Sequence, residues 1–127
     1  MENNILQTEL SNLLKDRFST AESTRANYAR GEDAYEAVLS QAVVFPENNM
    51  EVSKILQLCN KHKIPVVPFG TGTSLEGNAV GNENGITISL EKMNKVLSVN
   101  AVDFDCRVQA NVTRKQLNEH LRDDGVF

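Results

Sequence analysis

Between Pro68 and Gly77 the chain reads Pro-Phe-Gly-Thr-Gly-Thr-Ser-Leu-Glu-Gly, three glycines and three hydroxyl side chains in ten residues. Glycine places no Cβ beside its backbone, so successive N–H groups in such a stretch can converge on one anion. Thr71, Thr73 and Ser74 add hydroxyl donors. The chemistry suited to this pattern is capture of a diphosphate. A P-loop would need Gly-Lys-Ser/Thr, and no lysine lies between Lys63 and Lys92. A Rossmann fingerprint would need Gly-x-Gly-x-x-Gly opening a helix, whereas Gly70, Gly72 and Gly77 have another spacing and the following Asn78–Gly85 stretch discourages helix. Two readings stay open: an extended anion-binding loop, and a connecting loop that binds nothing, since glycine also serves ordinary turns. The density of hydroxyls favours binding.

Other candidate chemistry is sparse. Cys59 and Cys106 are far apart, without Cys-x-x-Cys spacing or a nearby histidine, so they are expected to be reduced and mostly buried thiols. His62 and His120 fall on predicted helices, where solvent-facing positions are expected, and no catalytic residue is assigned. The net charge of −4 and the scattering of thirteen Lys and Arg argue against a nucleic-acid surface, which needs clustered cations. No run approaches the ~18 apolar residues of a membrane span. The start Met1-Glu2-Asn3-Asn4 lacks the basic region of a secretory signal, and the acidic Glu9, Asp16 and Glu22 oppose a transit peptide, so a cytoplasmic location is expected.

The elements that must position the loop follow from periodicity. Ile5, Leu6, Leu10, Leu13 and Leu14 form the stripe of an amphipathic helix over the first fifteen residues. Asp16 to Ala37 reads as a short helix or irregular structure, with a surface loop at 28–33. Ala42 to Phe45, stopped by Pro46, is a buried strand. Asn48 and Glu51 resemble a capping box for a helix reaching about Lys63, with Val52, Ile55, Leu56 and Cys59 on one face. Ile64 to Phe69 is a continuous apolar strand expected to be buried on both faces. Strand, helix and strand make a βαβ unit, and the glycine loop leaves its carboxyl end, where open parallel sheets bind ligands.

Downstream, Ile86, Ile88 and Leu90 alternate with Thr87 and Ser89, the period of a half-exposed strand. Val96 to Val102 and Cys106 to Ala110 read as two more strands around a turn at Asp103. Thr113 opens a last helix, with Gln116 at N3, Val112 and Leu117 as a hydrophobic staple, Leu117 and Leu121 on the buried side and Gly125 as the C′ residue. The 127 residues suffice for one ordinary core without disulfides. An apolar ending at Phe127 with no further strand to receive the helix reads as an interruption.

Phe45-Pro46-Glu47, the helix from Asn48, Ile64 to Gly77, and Val112 to Asn118 together resemble the FAD-binding domain of the vanillyl-alcohol-oxidase type flavoproteins. They are most similar to the branch that holds D-lactate dehydrogenase (cytochrome) and the flavin-binding chain of glycolate oxidase. The resemblance covers Ala42 to Phe127 in order. It implies an α+β, FAD-binding PCMH-type fold, with a first subdomain containing the βαβ unit and the start of a second near Ile86. It divides the chain into an N-terminal helical segment, 1–41, and an FAD-binding domain, 42–127, incomplete at its C-terminus.

The cofactor implied is FAD, its pyrophosphate along Gly70, Thr71, Gly72, Thr73 and Ser74 after Pro68, with Gly77 and Asn78 nearby. Thr73 stands where some relatives carry a histidine that bonds the flavin, so attachment is expected to be noncovalent. Replacing Gly72 with Val is expected to abolish flavin binding. Ala110-Asn111-Val112 departs from the family's Pro-Gly-Val, and Asn111 is expected to take the left-handed conformation in place of glycine. The reaction implied for the full-length protein is oxidation of a D-2-hydroxy acid, D-lactate first, with electrons passed to cytochrome c or a quinone; with a C-terminal substrate domain missing here, this chain alone is expected to be inactive and to retain FAD weakly. A peripheral place at the inner membrane accompanies the cytoplasmic expectation. A noncatalytic FAD or nucleotide module, or a truncated product without activity, are the alternatives.

Overall fold

The computed structural model describes residues 4–32 and 34–126. Expectations at Met1–Asn3, Asp33 and Phe127 lie outside the described residues. Helix α1 (Asn4–Leu14) leads through a 3-10 turn into a two-residue strand β1 (Phe18–Ser19), followed by α2 (Glu22–Asn27). Strand β2 (Ala42–Val44), helix α3 (Asn49–Lys61) and strand β3 (Val66–Phe69) form the expected βαβ order. Strand β4 is Ile86–Ser89, the hairpin β5–β6 is Val96–Asn100 and Asp105–Val108, and α4 is Arg114–Leu121. Among the described residues, no helix is long and apolar enough to cross a membrane.

The main sheet has the order β1-β2-β4-β3, so β4 lies between the two strands of the βαβ unit. It is parallel to both, with Ala42 and Val66 each opposite Ile86. β1 pairs antiparallel with β2, placing Phe18 opposite Val44. This central position explains why the strand expected to be half exposed is buried throughout: layers cover both faces, and Thr87 and Ser89 are fully covered as well. Thr87 satisfies its hydroxyl on Ser40, Oγ1 to Oγ 2.7 Å. Buried polar groups need such partners. Conversely, β3, whose apolar run predicts burial on both faces, is an edge strand, with Val66 and Val67 half-buried and Pro68 exposed. A proline without an N–H is tolerated at an edge.

The core gathers Leu6, Leu10 and Leu14 of α1, Ile55 and Cys59 of α3, and Ala42, Val44, Ile86 and Ile88 of the sheet. Ile5 points outward at 66% exposure and Leu56 at 45%, so each helix buries a narrower stripe than its full apolar set suggests. The N-terminal segment is fastened to α3 by Arg17, whose Nη1 and Nη2 donate to Glu51 at 2.7 and 2.6 Å. Such a two-pronged contact is directional as well as charged. Arg17 holds Glu51 below the usual carboxylate range. His62, expected to face solvent, is mostly covered, its Nε2 3.2 Å from Glu9 Oε2 of α1.

The caps match their residue types with one difference. Asn48 Oδ1 accepts from the Glu51 N–H, and Thr113 Oγ1 accepts from the Gln116 N–H. The reciprocal halves of the two boxes are diverted: Glu51 accepts from the Glu47 N–H, while Gln116 donates to the Asn94 carbonyl. Gly125 ends the C-terminal turn in the left-handed region, φ 70°.

Candidate functional site

The parallel strands end at Val44, Phe69 and Ser89, and three rings collect beyond those ends. Tyr28 packs edge-on against Phe45 and Phe69, with centroids 5.4 and 5.1 Å apart. Such edge-to-face pairs stabilise beyond their buried area. The Tyr28 hydroxyl donates to Glu91 Oε1 at 2.9 Å. Burial, that hydrogen bond and the Glu91 charge push the Tyr28 phenol up to about 12. Tyr28 and the buried Ala29 therefore belong to the sheet's end, where the sequence predicts a surface loop.

The glycine loop leaves this aromatic base. Phe69 is buried, its carbonyl accepting from the Leu90 N–H at 2.9 Å, and from Gly70 onward the loop turns to the surface. Gly72 adopts φ 74° and Gly77 φ 77°, conformations that favour glycine. The Thr71 and Thr73 hydroxyls lie 3.0 Å apart, and Ser74 Oγ accepts from the Glu76 N–H at 3.3 Å. Val80 N–H closes the turn on the Gly77 carbonyl at 3.2 Å, with Asn78 inside it. Among the described residues, the backbone N–H groups of Gly70 through Ser74 donate to no protein acceptor. A run of uncommitted donors on a loop with no lysine or arginine suits a diphosphate held by dipoles.

The two bare positions differ. A Cβ on Gly72 would lie 2.7 Å from Phe69 Cζ, so this glycine serves the loop's own folding and its hydrogen points inward. A Cβ on Gly70 would meet only Asn111 Oδ1, at 3.4 Å, and Gly70 has no positive φ. The expected effect of Gly72→Val therefore has a conformational cause besides any ligand clash. Asn111 itself is not left-handed, contrary to expectation: its N–H donates to the Met93 carbonyl at 2.9 Å, and its side chain stands beside Gly70. The stretch before α4 thus reaches the loop through Asn111. The left-handed non-glycine residues are Lys15, Lys63 and Phe104 among the described residues.

The return of the loop is clamped by the N-terminal segment. Ala29 carbonyl accepts from the Gly81 N–H at 2.9 Å, and Ser40 Oγ accepts from the Asn82 N–H at 3.0 Å. Tyr28, Tyr35 and Ser40 are absent from the site residues expected from sequence, because isolated residues of these types carry no spacing signal; Asn111 is noted there only for its backbone conformation. Cys106, expected to be buried, is exposed on β6, whereas Cys59 is buried and its thiol pushed up to about 11 by that burial.

A model of the FAD binding domain matches residues 40–127. The chain belongs to the FAD binding domain family. It is 38% identical over 109 residues to a probable mitochondrial D-lactate dehydrogenase of Danio rerio, a match spanning 86% of this chain and 22% of that protein. It is 32% identical to the mitochondrial D-lactate dehydrogenase [cytochrome] of Arabidopsis thaliana, over 96% of this chain and 22% of the relative. The chain thus spans about a fifth of the length of these relatives. Its fold superimposes on p-cresol methylhydroxylase with a TM-score of 0.84 at 22% identity, covering 98% of this chain and 25% of that structure. The α+β, PCMH-type fold and the membership of an FAD-binding family therefore stand.

Proposed function

We propose that the chain forms the first part of an FAD-dependent dehydrogenase that oxidises a D-2-hydroxy acid, D-lactate to pyruvate before others, and delivers electrons to cytochrome c or a quinone. The observation that carries this reading is the run of uncommitted N–H groups from Gly70 to Ser74 at the carboxyl end of the parallel strands. The names of the relatives support the substrate class. In this assignment Pro68 fixes the entry to the loop and Gly70, Thr71, Gly72, Thr73 and Ser74 line the pyrophosphate. Gly77 and Asn78 border the rest of the cofactor. Attachment is noncovalent, because Thr73 offers no histidine. When bound, FAD supplies a two-electron acceptor; this chain binds it and orients it.

No residue of this chain is assigned as a base or a carboxylate ligand, and those groups are placed in a substrate domain outside it. The division at residue 41 is retained as a division of roles, supported by the family match from residue 40. Residues 1–41 supply packing and clamps, and residues 42–127 supply the cofactor loop. The two free cysteines fit a reducing compartment, so we place the protein in the cytoplasm with electron delivery at the inner membrane.

The test is the visible absorbance of the purified full-length protein that carries this chain together with the substrate domain, and its anaerobic response to substrate. A flavin spectrum bleached by D-lactate supports the full reading. A flavin spectrum unmoved by D-lactate, D-2-hydroxyglutarate or glycolate would assign a noncatalytic module, and protein that binds no flavin would overturn the cofactor assignment.

A further inference from the structure

Tyr35 stands against the second bare turn of the loop. A Cβ on Gly77 would lie 3.0 and 3.1 Å from Tyr35 Cδ2 and Cε2, so the ring seats directly on the glycine's α-carbon. The same residue keeps 58% of its surface exposed, and Leu75, two residues before Gly77, keeps 70%. Its segment is fastened on both sides: Tyr28 sits between Phe45 and Phe69, Ala29 receives Gly81, and Ser40 receives Asn82. An aromatic ring held at the edge of a diphosphate loop, with one side backed by protein and a large open surface, offers a platform for a planar ligand.

Resting on the cofactor assignment above, we propose that Tyr35 is a cofactor-contacting residue whose ring stacks on a planar ring of FAD. It lies in the stretch that precedes the family match. Gly77 then has a double task. Its positive φ turns the chain, and its bare α-carbon lets Tyr35 approach the loop closely enough to share the ligand. Two rings of FAD qualify, the isoalloxazine and the adenine, and they are separable because FMN carries only the first.

The experiment titrates flavin-free protein with FAD and with FMN, following flavin fluorescence, for the unaltered protein and for Tyr35→Phe, Tyr35→Leu and Tyr35→Ala. Stacking of this kind is expected to make the Leu and Ala variants bind FAD about tenfold to 100-fold more weakly, with Tyr35→Phe near the original affinity. Tyr35→Leu keeps an apolar cover on Gly77 without a plane, so it separates stacking from packing. If the isoalloxazine is the partner, FMN binding weakens in parallel, and bound flavin brightens in Tyr35→Phe because a phenol quenches it by electron donation and a phenyl does not. If adenine is the partner, only FAD binding weakens. A Leu variant that binds FAD as tightly as the unaltered protein would overturn the proposal. Failure of the unaltered protein to bind FAD would instead strike the cofactor assignment, and this inference with it.

Discussion

Alanine at Gly70 and alanine at Gly72 should fail in different ways, and the contrast tests the loop more sharply than either alone. At Gly72 a Cβ meets Phe69 Cζ at 2.7 Å, and φ is 74°. Left-handed backbone costs a residue with a Cβ about 1–2 kcal/mol. Phe69 cannot swing freely aside, because it is buried with its ring edge-on to Tyr28, and forcing it off its rotamer adds roughly 0.5–1.5 kcal/mol. The sum is about 1.5–3.5 kcal/mol. With an unfolding entropy of ~2.1 cal/mol/K per residue over 127 residues, this lowers Tm by about 6–13 °C in the isolated chain.

At Gly70 there is neither a positive φ nor a clash, so alanine should leave Tm unchanged or raise it slightly. In the proposed site the diphosphate approaches the bare α-carbon of Gly70, so the added methyl group is expected to cost about 1.4 kcal/mol or more in FAD binding, tenfold. Thermal melts and FAD titrations of both variants read the two effects. Gly70→Ala with unaltered FAD affinity would refute the claim that the pyrophosphate needs bare backbone there, and Gly72→Ala with unaltered Tm would refute the strained turn.

Glu51→Gln should destabilise by about 1–3 kcal/mol at neutral pH, through the paired, mostly covered Arg17 contact. Since Arg17 lowers the folded-state pKa of Glu51, that stabilisation is present above the ordinary carboxylate range and lost as pH falls through the lowered value; urea midpoints of both proteins should converge in acid. Leu10→Ala removes a fully buried side chain of α1 and should cost about 2–5 kcal/mol, measured by denaturant unfolding, whereas an independent N-terminal tail would show almost none. A thiol reagent should label one cysteine in the native protein, Cys106, and a second, Cys59, only on unfolding. Peptide mapping that finds Cys59 labelled first would contradict the burial.

Legibility from sequence tracked how local each signal is. The caps at Asn48 and Thr113, the turn at Gly125 and the helix–loop alternation are decided by neighbours within a few residues, and the structure carries them. The glycine loop stands out in the sequence as a candidate anion site because its composition is unusual over ten residues. Burial of β4 is not, because Thr87 and Ser89 read as outward polar residues until Ser40 and the flanking strands are known to cover them. Likewise Val66 and Val67 look central by composition, and only the strand order makes them an edge. β1 is two residues long and exists through pairing with Val43 and Val44, for which the sequence offers no periodicity. Tyr28, Tyr35 and Asn111 reach the loop from distant parts of the chain.

The insertion of β4 between β2 and β3 also governs the order in which the molecule can assemble. Ala42 and Val66 both wait for Ile86, so neither parallel strand has a lateral partner of that kind until the chain beyond the glycine loop has been synthesised and has returned. Closing such a distant pair is slow, because the entropy of the intervening chain is lost before any ladder forms. Sheet closure and shaping of the loop then become a single event. A ribosome-bound chain halted before Ser89 should have no partly formed cofactor site to capture flavin, and supply of the cofactor would influence folding only after that point.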